Sequence, residues 1–153
     1  MNRVLYAAIL VALLATPARH ARAHCQIPCG IYGDEARFEH MGEILDTIEK
    51  SMKQIEELSA KPTENMNQIV RWVNNKEEHA EEISEILRSY FLQQRIKVPA
   101  EGDEAARVTY LRFLELTHKM LVQAMKCKQT TDGANVTAFR SLLEEFHKAY
   151  GGK

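Results

Sequence analysis

The sequence predicts an all-α protein: an antiparallel four-helix bundle preceded by a short N-terminal hook. Three observations lead there. Only 7 Gly and 4 Pro occur in 153 residues, too few for a sandwich or barrel made of many tight turns. Glu, Lys, Leu, Ile, Ala and Met dominate the second half of the chain, the composition of helix-rich proteins. Apolar residues also recur in four stretches with the three-and-four spacing of a buried helical stripe. A hydrophobic share of 45% with 27% charged residues suits one soluble domain and excludes collagen, a coiled-coil rod and a multi-pass membrane protein. With 20 basic and 21 acidic residues the chain is formally −1, so no basic footprint points to nucleic acid.

Residues 1–23 read as a cleavable leader. Asn2 and Arg3 open it, and Val4 to Ala15 is an unbroken apolar run of 12 residues. Thr16-Pro17 breaks the run before Ala21-Arg22-Ala23, the A-x-A pattern that signal peptidase reads. The run falls short of the roughly 18 to 20 residues of a transmembrane helix, so no permanent membrane anchor is expected. The expected route is export to the periplasm or exterior, with a leader-processing protease as partner; a cytoplasmic protein with a dedicated leader peptidase is the alternative. The cut removes three of the 20 basic residues, Arg3, Arg19 and Arg22, and no acid, leaving 17 against 21, a formal −4. The mature chain then begins His24-Cys25.

Residues 33–153 carry the bundle. The first helix has its stripe at Phe38, Met41, Leu45, Ile48, Met52 and Ile55, and Lys61-Pro62 ends it. Thr63 is the expected N-cap of a second helix, with Met66, Ile69, Val73, Ala80, Ile83, Leu87 and Tyr90 inward and Lys76 as the one cation interrupting the stripe. Residues 93–102, with Pro99 and Gly102, read as a linker. Asp103 caps a third helix with Leu111, Leu114, His118, Leu121 and Met125 inward. After a turn at Thr130 to Gly133, a fourth helix from about Val136 turns Phe139, Leu142, Phe146 and Tyr150 inward and closes with Gly151 at C′. The spacing also suits a coiled-coil homodimer, but breaks at Pro62, Pro99 and Gly133 favour an intramolecular bundle.

The chemistry is concentrated in residues 24–32, His-Cys-Gln-Ile-Pro-Cys-Gly-Ile-Tyr. A free N-terminal His24-Cys25 offers an α-amine, an imidazole, a thiolate and the peptide nitrogen between the two residues. Amine, peptide nitrogen and thiolate close five-membered chelate rings in one plane, and Cys29 can supply a fourth donor. Square-planar nitrogen and sulfur donation points to nickel or copper, whereas zinc prefers a tetrahedron. The α-amine, with a reference pKa of about 7.7 to 8.0, loses its proton easily at neutral pH.

The pattern His-Cys-x-x-Pro-Cys-Gly-x-Tyr, placed after a removable leader and before a helical domain, resembles the nickel superoxide dismutase family, and the similarity extends over residues 24–153. The resemblance implies an oxidoreductase that disproportionates superoxide to O2 and hydrogen peroxide, a homohexamer of four-helix bundles, and one nickel ion per subunit in the N-terminal loop. It also implies that His24 gives its amine and an axial imidazole, Cys25 its amide nitrogen and sulfur, and Cys29 its sulfur. Pro28 would carry the peptide bond that turns the hook, and Tyr32 would stand over the open face of the metal. Gln26 departs from the acidic residue of the family pattern, a position without a ligand role. Thiolate and deprotonated amide donors bring Ni(III) within reach of superoxide, which hydrated nickel does not allow. Glu39 matches the carboxylate that holds the N-terminal imidazole, allowing for one residue fewer after Tyr32. Lys76 takes the place of an arginine that supports that contact. The simpler reading leaves Glu39 solvated and Lys76 snorkelling to the surface.

Other readings of the same residues compete. Cys25 and Cys29 could form a local disulfide, or a structural zinc site lacking an obvious fourth ligand. Glu115-Leu-Thr-His118 and Glu144-Glu-Phe-His147 are two Glu-x-x-His pairs of the kind found in ferritin-like di-iron bundles, although Glu144 points away from the predicted core. A nonenzymatic metal-binding module is the third class. Cys127 reads as a small, semi-buried apolar residue. Asn135-Val136-Thr137 is either a glycosylation acceptor or a helix start.

Overall fold

The computed structural model describes residues 33–151. The leader 1–23 and the hook 24–32, with His24, Cys25, Pro28, Cys29 and Tyr32, lie outside the described residues. Four helices follow one another: α1 (Glu35–Leu58), α2 (Pro62–Glu85, prolonged by a π-helical segment, Ile86–Arg95), α3 (Glu104–Gln129) and α4 (Ala134–Gly151). α1 packs on α2 and α4, and α3 packs on the same two, an up-and-down bundle. Among the described residues there is no strand, and no helix is long and apolar enough to cross a membrane.

α1 follows the predicted stripe throughout. Phe38, Met41, Leu45, Ile48, Met52 and Ile55 are all buried, joined by Ile44. α2 begins two positions earlier than expected, with Pro62 in its first turn and Lys61 before it, so Thr63 does not cap it. Proline suits that place because its missing N–H has no partner there anyway and its φ is already helical. From Ala80 onward the inward residues of α2 are those expected, but Met66 is 55% exposed and Val70 49%. The far tip of the α1–α2 hairpin therefore leaves apolar side chains uncovered.

The linker starts later than predicted because α2 does not stop near residue 93. It widens into the π-helical segment Ile86–Arg95, closed by a bond from the Ile96 amide to the Phe91 carbonyl at 2.8 Å, five residues back. The wider turn buries Ser89, Tyr90 and Phe91 in succession, which a 3.6-residue repeat does not do.

α3 is turned away from the predicted face. Its buried residues are Phe113, Leu116, Thr117, Met120, Gln123, Ala124 and Cys127, while Leu111 and Met125 are about half exposed and His118 is exposed. Both faces of α3 carry apolar spacing, so the stripe alone did not choose between them. The inward face is the one whose polar members are satisfied: Thr117 donates to the Phe113 carbonyl, and Gln123 donates to the Asn135 carbonyl at 2.8 Å. Phe113 also packs edge-on against Phe146. Asp103 caps α3 as expected, accepting from the Ala106 amide at 2.9 Å.

α4 starts two residues before Val136 and includes Gly151, which has no positive φ and so is not a left-handed C′ residue. Phe139, Leu143 and Phe146 are buried, while Leu142 and Tyr150 sit half-buried at the edge. Asn135 is within the first turn, its amide donating to Thr130 Oγ1 and its oxygen accepting from Gln123. The sequon therefore serves as a helix start.

Candidate metal centre

The backbone that leads to the hook joins the bundle at Gly33 and Asp34. Gly33 has φ +83°, a left-handed conformation that side chains resist. Asp34 stands at the N-cap of α1, yet its carboxylate caps nothing. It accepts instead from three donors across the bundle: the Tyr90 hydroxyl, Arg95 Nη2 at 2.6 Å, and the Tyr150 hydroxyl at 2.7 Å. Burial pushes the Asp34 carboxyl up, but the bonds from Arg95, Tyr90 and Tyr150 outweigh it, so the net displacement is downward. Burial, reinforced by the bond to Asp34, pushes the Tyr90 hydroxyl up to about 12. The same carboxylate holds the Arg95 guanidinium above its ordinary value.

Beneath this cluster lies an aromatic floor. Phe38, Phe91, Phe113, Phe146 and Tyr150 form a set of ring contacts with centroids 5.0 to 5.8 Å apart. Arg37 and Arg95 both approach the Tyr90 ring, at 5.8 and 5.9 Å from its centroid. His147 stacks on Phe38 and bonds Glu35 at 2.8 Å, fixing the end of α4 to the start of α1. On the adjoining face of α1, His40 bonds Glu82 at 2.8 Å.

Glu39 projects from the second turn of α1 and lines a cleft of about 270 Å³ between α1 and α4, with Glu35, Phe38, Arg140 and His147. It is exposed and has no hydrogen-bond or ion-pair partner among the described residues. Lys76 is elsewhere. It is 3% exposed, so it does not snorkel, and its Nζ donates to Glu77 at 2.8 Å, to the Cys127 carbonyl at 2.9 Å and to the Lys128 carbonyl. That places its charge on the C-terminal end of α3, where free carbonyls and the helix dipole attract a cation. Fourteen residues separate Lys76 from Tyr90 beside Asp34, roughly 20 Å of helix, whereas Glu39 is only about 8 Å along α1 from Asp34. The expected support of Glu39 by Lys76 is thus corrected: Lys76 is a helix-end plug at the opposite end of the bundle.

The di-iron reading is also corrected. Glu115, His118 and Glu144 are exposed, and Glu115 is tied to Arg112 at 2.9 Å and Lys119 at 2.5 Å. A di-iron core requires all its ligands to project inward. Among the described residues, no group of three or more His, Cys, Asp or Glu side chains could hold a metal ion. Cys127 is fully buried, more so than expected, and burial pushes its thiol up to about 11 despite the nearby Lys76 charge. The donors expected from the sequence, on His24, Cys25 and Cys29, lie outside the described residues.

Sequence reasoning missed Asp34, Arg95 and the role of Tyr150. An Asp just before a helix reads as an N-cap, and its partners lie 56, 61 and 116 residues away. In comparisons with known proteins, a family model described as nickel-containing superoxide dismutase matches residues 19–153. No curated protein matches the chain, and no solved structure does.

Proposed function

The chain belongs to the nickel-containing superoxide dismutase family, and on that premise we propose that residues 24–32 hold its nickel, with His24, Cys25 and Cys29 as the ligands. The protein is a nickel-dependent oxidoreductase that converts superoxide to O2 and hydrogen peroxide. Bound nickel supplies a one-electron couple that superoxide can both reduce and reoxidise. The chain's part is to make that couple accessible and to hold the donors in place. In this reading His24 would contribute its α-amine and imidazole, Cys25 its amide nitrogen and thiolate, and Cys29 the second thiolate. Pro28 would turn the loop, and Tyr32 would stand beside the bound nickel.

The observation that carries the assignment is the donor spacing His24-Cys25-x-x-Pro28-Cys29 inside the matched range. Glu39 is proposed as the acceptor for the second ring nitrogen of His24, since metal-bound imidazoles are oriented by such partners. Its support is an exposed carboxylate without a partner among the described residues, in a cleft near the root of the hook. The ligand set requires a free α-amine, so residues 1–23 are proposed to be removed by a processing protease. Export to the periplasm or exterior is proposed from the composition of that segment, with a cytoplasmic protein and a dedicated leader peptidase as the alternative. A homohexamer is proposed on the family pattern; the uncovered Met66, Val70, Val108, Leu111, Val122 and Met125 supply apolar surface of the kind an assembly buries.

The test combines intact mass, N-terminal sequence, metal analysis and superoxide consumption on the purified protein. The expected result is a chain beginning at His24 with one nickel ion per subunit and activity. A chain retaining one residue before His24 should bind nickel differently and lose activity; full activity there would refute the amine ligand.

A further inference from the structure

We propose that Asp34, with Arg95, Tyr90 and Tyr150, is a positioning clamp that fixes the root of the nickel-binding segment to the bundle. The proposal rests on the assignment of nickel to residues 24–29. Three independent features meet at this point. The first is that the Asp34 carboxylate stands at an N-cap, where its ordinary use is to accept from the first free amides of the helix, and it does not do so. It is committed instead to a guanidinium and two phenols from α2 and α4. A carboxylate taking three charge-assisted bonds from two other helices cannot rotate without breaking all of them, so the residue that leads into α1 has a fixed position relative to the bundle.

The second feature is Gly33, whose φ of +83° sets the direction in which the backbone leaves that fixed residue. With Asp34 held and Gly33 turned, the backbone is fixed up to Gly33. The third is Arg95. Its Nη2 is spent on Asp34, but its Nε is buried with no acceptor among the described residues. A buried guanidinium donor left unsatisfied is costly, so this donor is available to an acceptor outside the described residues. Arg95 reaches this spot only because the π-helical segment carries α2 past residue 93.

These residues hold no metal ligand and touch no substrate; they act by reducing the freedom of the loop that does. Preorganisation of a binding loop slows ligand loss, because the donors stay together when one bond opens. The experiment uses the mature protein, residues 24–153, loaded with nickel. The variants are Asp34→Asn, Arg95→Lys and, as a milder change, Tyr150→Phe. Removing one charged hydrogen bond from the clamp should speed nickel loss to a chelator by about tenfold in the first two and by less in the third. Nickel stoichiometry and helix content should stay unchanged, and the axial-nitrogen splitting of the Ni(III) spin-resonance spectrum should broaden. In the metal-free protein, the same variants should raise amide hydrogen exchange over residues 33–37 while sparing 44–52.

Unchanged nickel loss, spectrum and exchange in Asp34→Asn and Arg95→Lys would overturn the clamp. If Cys25→Ser bound nickel like the unmutated protein, the ligand assignment would fail instead. The exchange measurement would then still decide whether Asp34 holds the segment, since it needs no metal. Should Asp34→Asn unfold, Tyr150→Phe carries the same readouts with the carboxylate left in place.

Discussion

The two ends of the bundle use buried polar groups for opposite purposes. At the hook end, Asp34 collects donors from α2 and α4 over an aromatic floor, and the contact ties three helices to the residue that leads out of the fold. At the far end, Lys76 faces inward and terminates α3 by filling the carbonyls of Cys127 and Lys128. Asn75 donates to Ser51 at 2.8 Å, and Gln123 ties down the start of α4. The far end thus finishes its helices internally, whereas the hook end holds a point from which the chain departs. A bundle needs only the first kind of contact to be stable. The second kind matters where something attached to the bundle must be kept in place.

The largest expected effects separate chemistry from fold. Cys25→Ser and Cys29→Ser should each abolish superoxide consumption while leaving the helical circular dichroism of the bundle unchanged, because the core among the described residues is built without either. Cys127→Ser should leave activity nearly intact. A loss with Cys127→Ser equal to the other two would erase the distinction between the ligand segment and the bundle.

Next in size is the aromatic floor. Phe146→Ala removes a fully buried ring that meets Phe38, Phe91, Phe113 and Tyr150, and should cost about 3 to 5 kcal/mol in urea unfolding. Lys76→Met, at the other end, should cost about 1 to 3 kcal/mol by leaving buried carbonyls without a donor. If Lys76→Met stabilised the protein, the far end would be better described as a tolerated charge than as a plug.

Titration distinguishes the ends at high pH. Cys127 at the far end has its pKa pushed up to about 11 from an ordinary 9.0, and Tyr90 at the hook end is pushed up to about 12 from 10.0. Both are raised, so the folded state binds more protons and the stability they contribute is complete below the ordinary values and lost as pH rises through the raised ones. Stability should hold to pH 9, fall between 9 and 11 through Cys127, and fall further between 10 and 12 through Tyr90. Cys127→Ser should remove the first step and Tyr90→Phe the second in thermal melts across this range. Asp34 is displaced downward, so its contribution is present above its ordinary 3.8 and is lost as the pH falls below that.

The smallest effect is expected on the outer face of α3. His118→Ala should change stability by less than about 0.5 kcal/mol and leave metal content unaltered. A loss of bound metal there would reopen the reading of the Glu-x-x-His pairs.

The sequence was most readable where one signal spoke alone. The α1 stripe from Phe38 to Ile55 has a single apolar face, and every member is buried. The family was legible because the motif that carries the resemblance sits in a few adjacent residues, 24–32. α3 was misread because Leu111, Leu114, Leu121 and Met125 mimic a core face as well as Phe113, Leu116, Met120 and Ala124 do. Only the long-range clasp of Gln123 on Asn135 and the fit of Phe113 against Phe146 choose between them. Lys76 was correctly singled out as a buried charge, but the carbonyls that neutralise it carry no mark in the sequence. Arg95 was invisible for a different reason: a 3.6-residue repeat has no place for it, and it takes a wider turn to bring it inside.

That wider turn has a consequence in mutational terms. Each ring of a π-helix encloses one residue more than a ring of an α-helix, so Ile86–Arg95 accommodates surplus chain between Glu85 and the linker. Deleting a single codon from the exposed part of this stretch, at Gln93, would let the segment tighten into an ordinary helix without lengthening any loop. The core residues before it would keep their seats, and the end of the segment, Gln94 and Arg95, would rotate by about 100°. Arg95 would then swing off Asp34 with the bundle still folded. A whole-residue deletion, rather than a substitution, is the change by which a lineage could gain or lose the tether between its helices and its metal in one step.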